Sequence, residues 1–164
     1  EYPGFQGRIT MTMREVDECM AAGADVVSID CTDCVRGDGL TPTEFLKAVR
    51  EEYPNIIIMA DCATFEEGVA AHAAGADLVG TTMNGYTPQT AGETGEPNFA
   101  LVARLVKTLP CPVIAEGRIH TPEQARKMLE IGAWAVVVGG AITRPLEIAS
   151  RFMAAVRDLP GGMV

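Results

Sequence analysis

An α/β fold of repeated βα units closing into a (β/α)8 TIM barrel is what this 164-residue sequence predicts, on three observations. Short apolar runs alternate with helical patterns along the chain. Each run is almost continuously apolar, as a parallel strand covered on both faces must be. The runs begin at residues 25, 56, 78, 112 and 135, about 27 residues apart on average, a typical barrel step. The competing architecture, an open doubly wound sheet, would carry a G-x-G-x-x-G or P-loop at its first strand to hold a nucleotide, and the sequence has neither.

The elements follow in order. Thr12 and Glu15 have the spacing of a capping box, in which the hydroxyl accepts a backbone N–H and the carboxylate reaches back to the cap. Val16 and Met20, four apart, give the helix that follows one apolar face. "DVVSID" (25–30) is the first strand. Thr41 with Glu44 opens the next helix, with Phe45 and Val49 facing the sheet. "IIIMAD" (56–61) is the second strand, and Thr64 with Glu67 caps the helix after it. "LVGTTM" (78–83) and "PVIAEG" (112–117) are the third and fourth strands, and Thr121 with Gln124 starts another helix. Gly23, Gly75 and Gly132 each lie eleven residues after a capping threonine, where a left-handed residue stops a helix. "AVVVGG" (135–140) is the fifth strand, with Trp134 expected to pack at its start. Ile148 and Phe152 are expected to turn a last helix onto the sheet, and "LPGGMV" reads as a frayed tail.

Five strands fall short of eight. A barrel of this step needs about 220 residues. Residues 1–164 therefore read as the carboxyl-terminal portion of a single barrel domain. Either roughly 60 residues with three strands precede Glu1, or a half-barrel pairs with something else.

Composition narrows the function classes. A net charge of −9 opposes nonspecific binding to nucleic acid. No apolar run approaches the roughly 20 residues of a membrane span, and the first residues lack a signal-peptide pattern. The five scattered cysteines, Cys19, Cys31, Cys34, Cys62 and Cys111, read as reduced thiols of a cytoplasmic protein. Cys31 and Cys34 have C-x-x-C spacing, but no second pair or histidine cluster completes a metal site, so none is expected.

Barrel chemistry sits at the carboxyl ends of the strands. Those ends carry Asp30, Asp61, Thr81 with Thr82, Glu116 with Arg118, and Gly139 with Gly140. Gly117, Gly139 and Gly140 lie after the last two strands, where a backbone without Cβ lets N–H groups approach a phosphate. Arg118 or Arg144 can add a forked donor to that anion. Glu116 reads either as a strand-end ion pair or as an acid–base group whose pKa is lifted by exclusion of water. His120 lies near the rim just before a helix cap; His72 reads as structural.

"MADCATFEEG", "DLVGTTMNGYT", "PVIAEGRIHTPEQA" and "AVVVGGAITRP", preceded by "ITMTMREVDECMAAGADVVSIDCT", resemble the N-acetylmannosamine-6-phosphate 2-epimerases of sialic acid catabolism over nearly the whole chain. The resemblance implies a homodimeric barrel that interconverts N-acetylmannosamine 6-phosphate and N-acetylglucosamine 6-phosphate at C2 without metal or nucleotide cofactor. It matches Glu116 to a catalytic glutamate, Asp61 to a carboxylate contacting the sugar, and Arg144 to an arginine near the substrate. Gly117, Gly139 and Gly140 match phosphate-binding loops. The family's third-strand lysine has no counterpart, because Lys47, Lys107 and Lys127 fall in helical stretches. Two alternatives stand beside this reading: another phosphosugar isomerase, aldolase or decarboxylase, and a non-catalytic half-barrel that binds phosphate.

Overall fold

The computed structural model describes residues 9–34, 36, 38–93 and 95–157. The tail expected for "LPGGMV" lies outside them. The elements are α1 (Met13–Ala21), β1 (Val26–Asp30), α2 (Pro42–Glu52), β2 (Ile57–Asp61), α3 (Phe65–Ala73), β3 (Leu78–Gly80), α4 (Phe99–Thr108), β4 (Val113–Glu116), α5 (Pro122–Ile131), β5 (Ala135–Val137), α6 (Gly140–Thr143) and α7 (Pro145–Arg157). All four capping boxes form, at Thr12, Thr41, Thr64 and Thr121. Gly75 and Gly132 take φ of 108° and 107°, which an L side chain resists.

The strands pair in the order β1-β2-β3-β4-β5, all parallel. This order is decisive for the fold class. A doubly wound sheet reverses direction at a switch point, whereas a barrel adds each strand beside the last. The chain therefore presents five consecutive units of a (β/α)8 barrel, and the described strands do not close on themselves.

The core lies between the sheet and its helices. Val27, Ile29, Ile58, Ala60 and Val79 meet Phe45, Leu46, Val49, Val102 and Leu105, all nearly inaccessible to solvent. Because strand side chains alternate, Val26, Ser28, Ile57 and Met59 point to the opposite face. That face is more open than the apolar runs led us to expect: Val26 and Ile57 are each 42% exposed. No described strand crosses over to fill it.

Several local expectations are corrected. β3 stops at Gly80 because the chain turns at once, with the Asn84 amide donating to the Thr81 carbonyl (3.1 Å). β5 stops at Val137 because Gly139 caps α6. Trp134 is 69% exposed and Phe152 73% exposed, so neither packs as expected. α7 has no buried residue, since it follows the sheet's last strand and no further described strand lies beneath it. α4, expected only as a helical stretch around Lys107 without bounds or cap, is capped by the Asn98 side chain, which accepts the Leu101 amide at 2.9 Å.

Candidate active site

The carboxyl ends of β2, β3 and β4 bring three predicted residues together. The Thr82 hydroxyl donates to Asp61 Oδ1 and lies 3.2 Å from Glu116 Oε2. Gly80 makes room for this approach: a Cβ there would stand 3.1 Å from both Asp61 Oδ1 and Thr82 Oγ1, and 2.7 Å from Met59 Cε. Thr81, next to it, has a different task. Its hydroxyl donates to the Glu116 carbonyl (2.8 Å) and accepts the Glu116 amide (3.0 Å), extending the β3–β4 ladder after the main chain has turned away.

Electrostatics favour protonation at this junction. Burial pushes the Asp61 carboxyl up from 3.8 to about 6; the Thr82 hydrogen bond opposes the rise, and the nearby Glu116 charge adds to it. Burial likewise raises the half-buried Glu116, again against the hydrogen bond from Thr82. Among the described residues Glu116 forms no ion pair, so the strand-end salt bridge is not how it is used. Asp30, paired in register with Asp61, is committed locally: its Oδ1 accepts the Thr32 amide (3.0 Å) and hydroxyl (2.6 Å).

A cavity of about 400 Å³ opens beside the junction, lined by Thr82, Glu116, Gly117, Arg118, Gly139, Gly140 and Arg144. Asp61 and Thr81 are not in its wall; both are buried behind it. Gly117 (φ 99°) and Arg118 (φ 58°) are consecutive left-handed residues, a conformation that costs a non-glycine residue on the order of 1 kcal/mol. This bend carries the Arg118 guanidinium to the β3–α4 loop, where Nη2 donates to Asn84 Oδ1 at 2.5 Å. Asn84 in turn donates to the Ala63 carbonyl and the Glu93 carboxylate. Arg118 Nε and Nη1 are buried without a hydrogen-bond partner among the described residues. Arg144 is exposed on the opposite rim and paired with Glu147 at 2.8 Å.

Tyr86, Val137 and Glu147 also line the cavity and were not singled out in the sequence. Glu147 was detectable as a carboxylate three residues after Arg144; Tyr86 lies near the end of the "DLVGTTMNGYT" stretch, in a loop that no strand or helix pattern aims at the rim. His120 is in the wall, whereas the His72 ring is tied to the Ala76 carbonyl at the end of α3. Cys31 and Cys34 are separate thiols, and burial raises both.

The family model described as "Putative N-acetylmannosamine-6-phosphate epimerase" (NanE) matches residues 1–158. A relative from Caldanaerobacter subterraneus subsp. tengcongensis, named "Putative N-acetylmannosamine-6-phosphate 2-epimerase", is 50% identical over 157 residues, 96% of this chain and 66% of its own. One of the same name from Listeria welshimeri is 46% identical over 93% of this chain and 65% of its own. The chain thus spans about two thirds of the length of these relatives. The solved N-acetylmannosamine-6-phosphate 2-epimerase from Clostridium perfringens superposes with a TM-score of 0.86 at 40% identity, covering 95% of this chain and 67% of that one. A thiamine phosphate pyrophosphorylase from Pyrococcus furiosus, at 24% identity and a TM-score of 0.59 over 77% of this chain and 55% of its own, shares the fold alone.

Proposed function

The chain belongs to the N-acetylmannosamine-6-phosphate epimerase family, and from that premise we propose that its cavity binds a phosphorylated N-acetyl amino sugar and inverts it at C2. The observation that carries this reading is the convergence of Asp61, Thr82 and Glu116 at one wall of a cavity whose other wall is made by glycines and Arg144.

In the open-chain sugar, the C2 hydrogen lies next to the C1 aldehyde. Removing it gives an enolate, and returning a proton to the other face of C2 completes the inversion without net oxidation. Glu116 is the proton-carrying carboxylate: it reaches the cavity, and burial lifts it toward the range where it can both take and give a proton. The phosphate rests on the backbone at Gly117, Gly139 and Gly140, with Arg144 as a forked donor from the rim. Arg118, fixed to Asn84, keeps the loop bearing Tyr86 beside the sugar, and its uncommitted donors strengthen the positive side of the cavity. Thr81 acts through the backbone of Glu116, and Asp61 through Thr82.

Deuterium uptake at C2 of N-acetylmannosamine 6-phosphate in D2O tests the proposal. Exchange is expected with the wild type, and at least about a hundredfold slower exchange with Glu116→Gln, while binding of inorganic phosphate persists. Equal exchange by the variant would remove Glu116 from the proton transfer. One observation favours a second reading, phosphosugar binding without turnover: Lys47, Lys107 and Lys127 lie on α2, α4 and α5, and none is in the cavity wall. That reading predicts bound sugar with no deuterium at C2.

No described helix is long and apolar enough to cross a membrane. The proposal places the protein in the cytoplasm, supported by its five free thiols, and as a homodimer, supported by the family resemblance.

A further inference from the structure

We propose that Thr82 is a positioning residue whose single hydroxyl joins Asp61 and Glu116 into one unit that holds one proton between two carboxyl groups. The inference deepens the proposed role of Glu116 and rests on it only for its use in turnover.

Donors and acceptors at this junction do not match unless a proton is added. Two ionised carboxylates have only lone pairs to offer, and a threonine hydroxyl has one hydrogen. Thr82 spends that hydrogen on Asp61 Oδ1, yet Glu116 Oε2 stands 3.2 Å from the same oxygen. With both carboxyls ionised, the second contact sets lone pair against lone pair. With both protonated, one acid proton lacks its place in the chain. A single proton satisfies every atom: one carboxyl donates to the hydroxyl oxygen, and the hydroxyl donates to the other carboxylate. The bridge therefore favours the singly protonated pair over the states on either side.

The surroundings act in the same direction. Asp61 is only 2% exposed, so water cannot take over the role of the hydroxyl. The acidic groups facing it are Glu116 from β4 and Asp30 from β1, which oppose its ionisation; the Ser28 hydroxyl of β1 favours it. Glu116 opens on its other side to a cavity bearing Tyr86, Arg118, His120, Arg144 and Glu147. A Cβ at position 80 would press on both the carboxyl and the hydroxyl at 3.1 Å, so the glycine lets them meet without crowding.

The bridge also moves the proton. If Asp61 holds it, its O–H passes that proton to Thr82 Oγ1 as the Thr82 hydroxyl proton passes to Glu116; the hydroxyl is restored, and one proton has crossed. The buried carboxyl thus resets the exposed one after each exchange with substrate.

Titration of the full chain, 13C-labelled at Asp and Glu carboxyls, by NMR tests this without reference to turnover. A bridged pair ionises in two well-separated steps. Thr82→Val is expected to draw the steps of Asp61 and Glu116 together by about one pH unit or more, and Thr82→Ser to keep the wild-type separation. Unchanged steps in Thr82→Val, or equal narrowing in Thr82→Ser, would overturn the proposal. Should Thr82→Val fail to fold, Asp61→Ala decides: with its acceptor gone the hydroxyl turns its hydrogen to Glu116, so the Glu116 step should fall by about one pH unit, and an unmoved step refutes the bridge. Absence of C2 exchange in the wild type would refute the epimerase reading while the titration still decides this one.

Discussion

Asp61 ties stability to pH at the scale of one residue. Its folded value of about 6 lies above the ordinary 3.8, so between those values the native state holds a proton that the unfolded chain has released. Its contribution is complete below about pH 4 and is lost as pH rises through about 6, an effect on the order of 2 kcal/mol. Urea unfolding at pH 4 and pH 7.5 should therefore show the wild type losing about that much more stability than Asp61→Asn. Equal pH dependence in the two proteins would contradict the buried, protonated Asp61. At this scale the sequence was partly legible. Asp61, Thr82 and Glu116 were identifiable as polar residues ending apolar runs, because barrel strands deliver their ends to one rim. The different tasks of Thr81 and Thr82 were not, since they depend on a turn beginning one residue after Gly80.

Elements were legible where their signal is local. A capping box is a matter of residues i and i+3, and all four were read correctly. The start of α4 was not legible because its asparagine cap follows a long loop from β3, and β3 and β5 end sooner than their runs because apolar residues and threonines continue past the last paired residues. The cap of α3 reaches further than its own helix. Glu67 Oε2 accepts the amides of Ala63 (2.8 Å) and Thr64 (2.9 Å), while Oε1 accepts the Asp33 amide (3.0 Å) from the β1–α2 loop. Thr64→Ala should cost about 1 kcal/mol in urea unfolding. Glu67→Ala should cost more, since three amides lose their acceptor at once; a smaller loss than in Thr64→Ala would show that water replaces the carboxylate fully.

For the whole molecule, strand order was implied by the regular βα step, but exposure was not, because burial depends on what lies across the sheet. Ile142, Leu146, Phe152 and Met153 are apolar and more than half exposed on α6 and α7. If this surface joins two copies, Phe152→Glu should shift sedimentation from dimer to monomer while altering intrinsic monomer stability by no more than about 0.5 kcal/mol. A variant that remains dimeric would move the contact elsewhere. The site itself sits where the sheet is least conventional. The Glu116 amide is closed by the Thr81 side chain, so it can open by a rotamer hop without parting two strands. In hydrogen exchange this amide should behave as a local flicker beside amides that wait for global unfolding. The sheet thus fastens Glu116 to its neighbouring strand by a latch that one torsion angle releases.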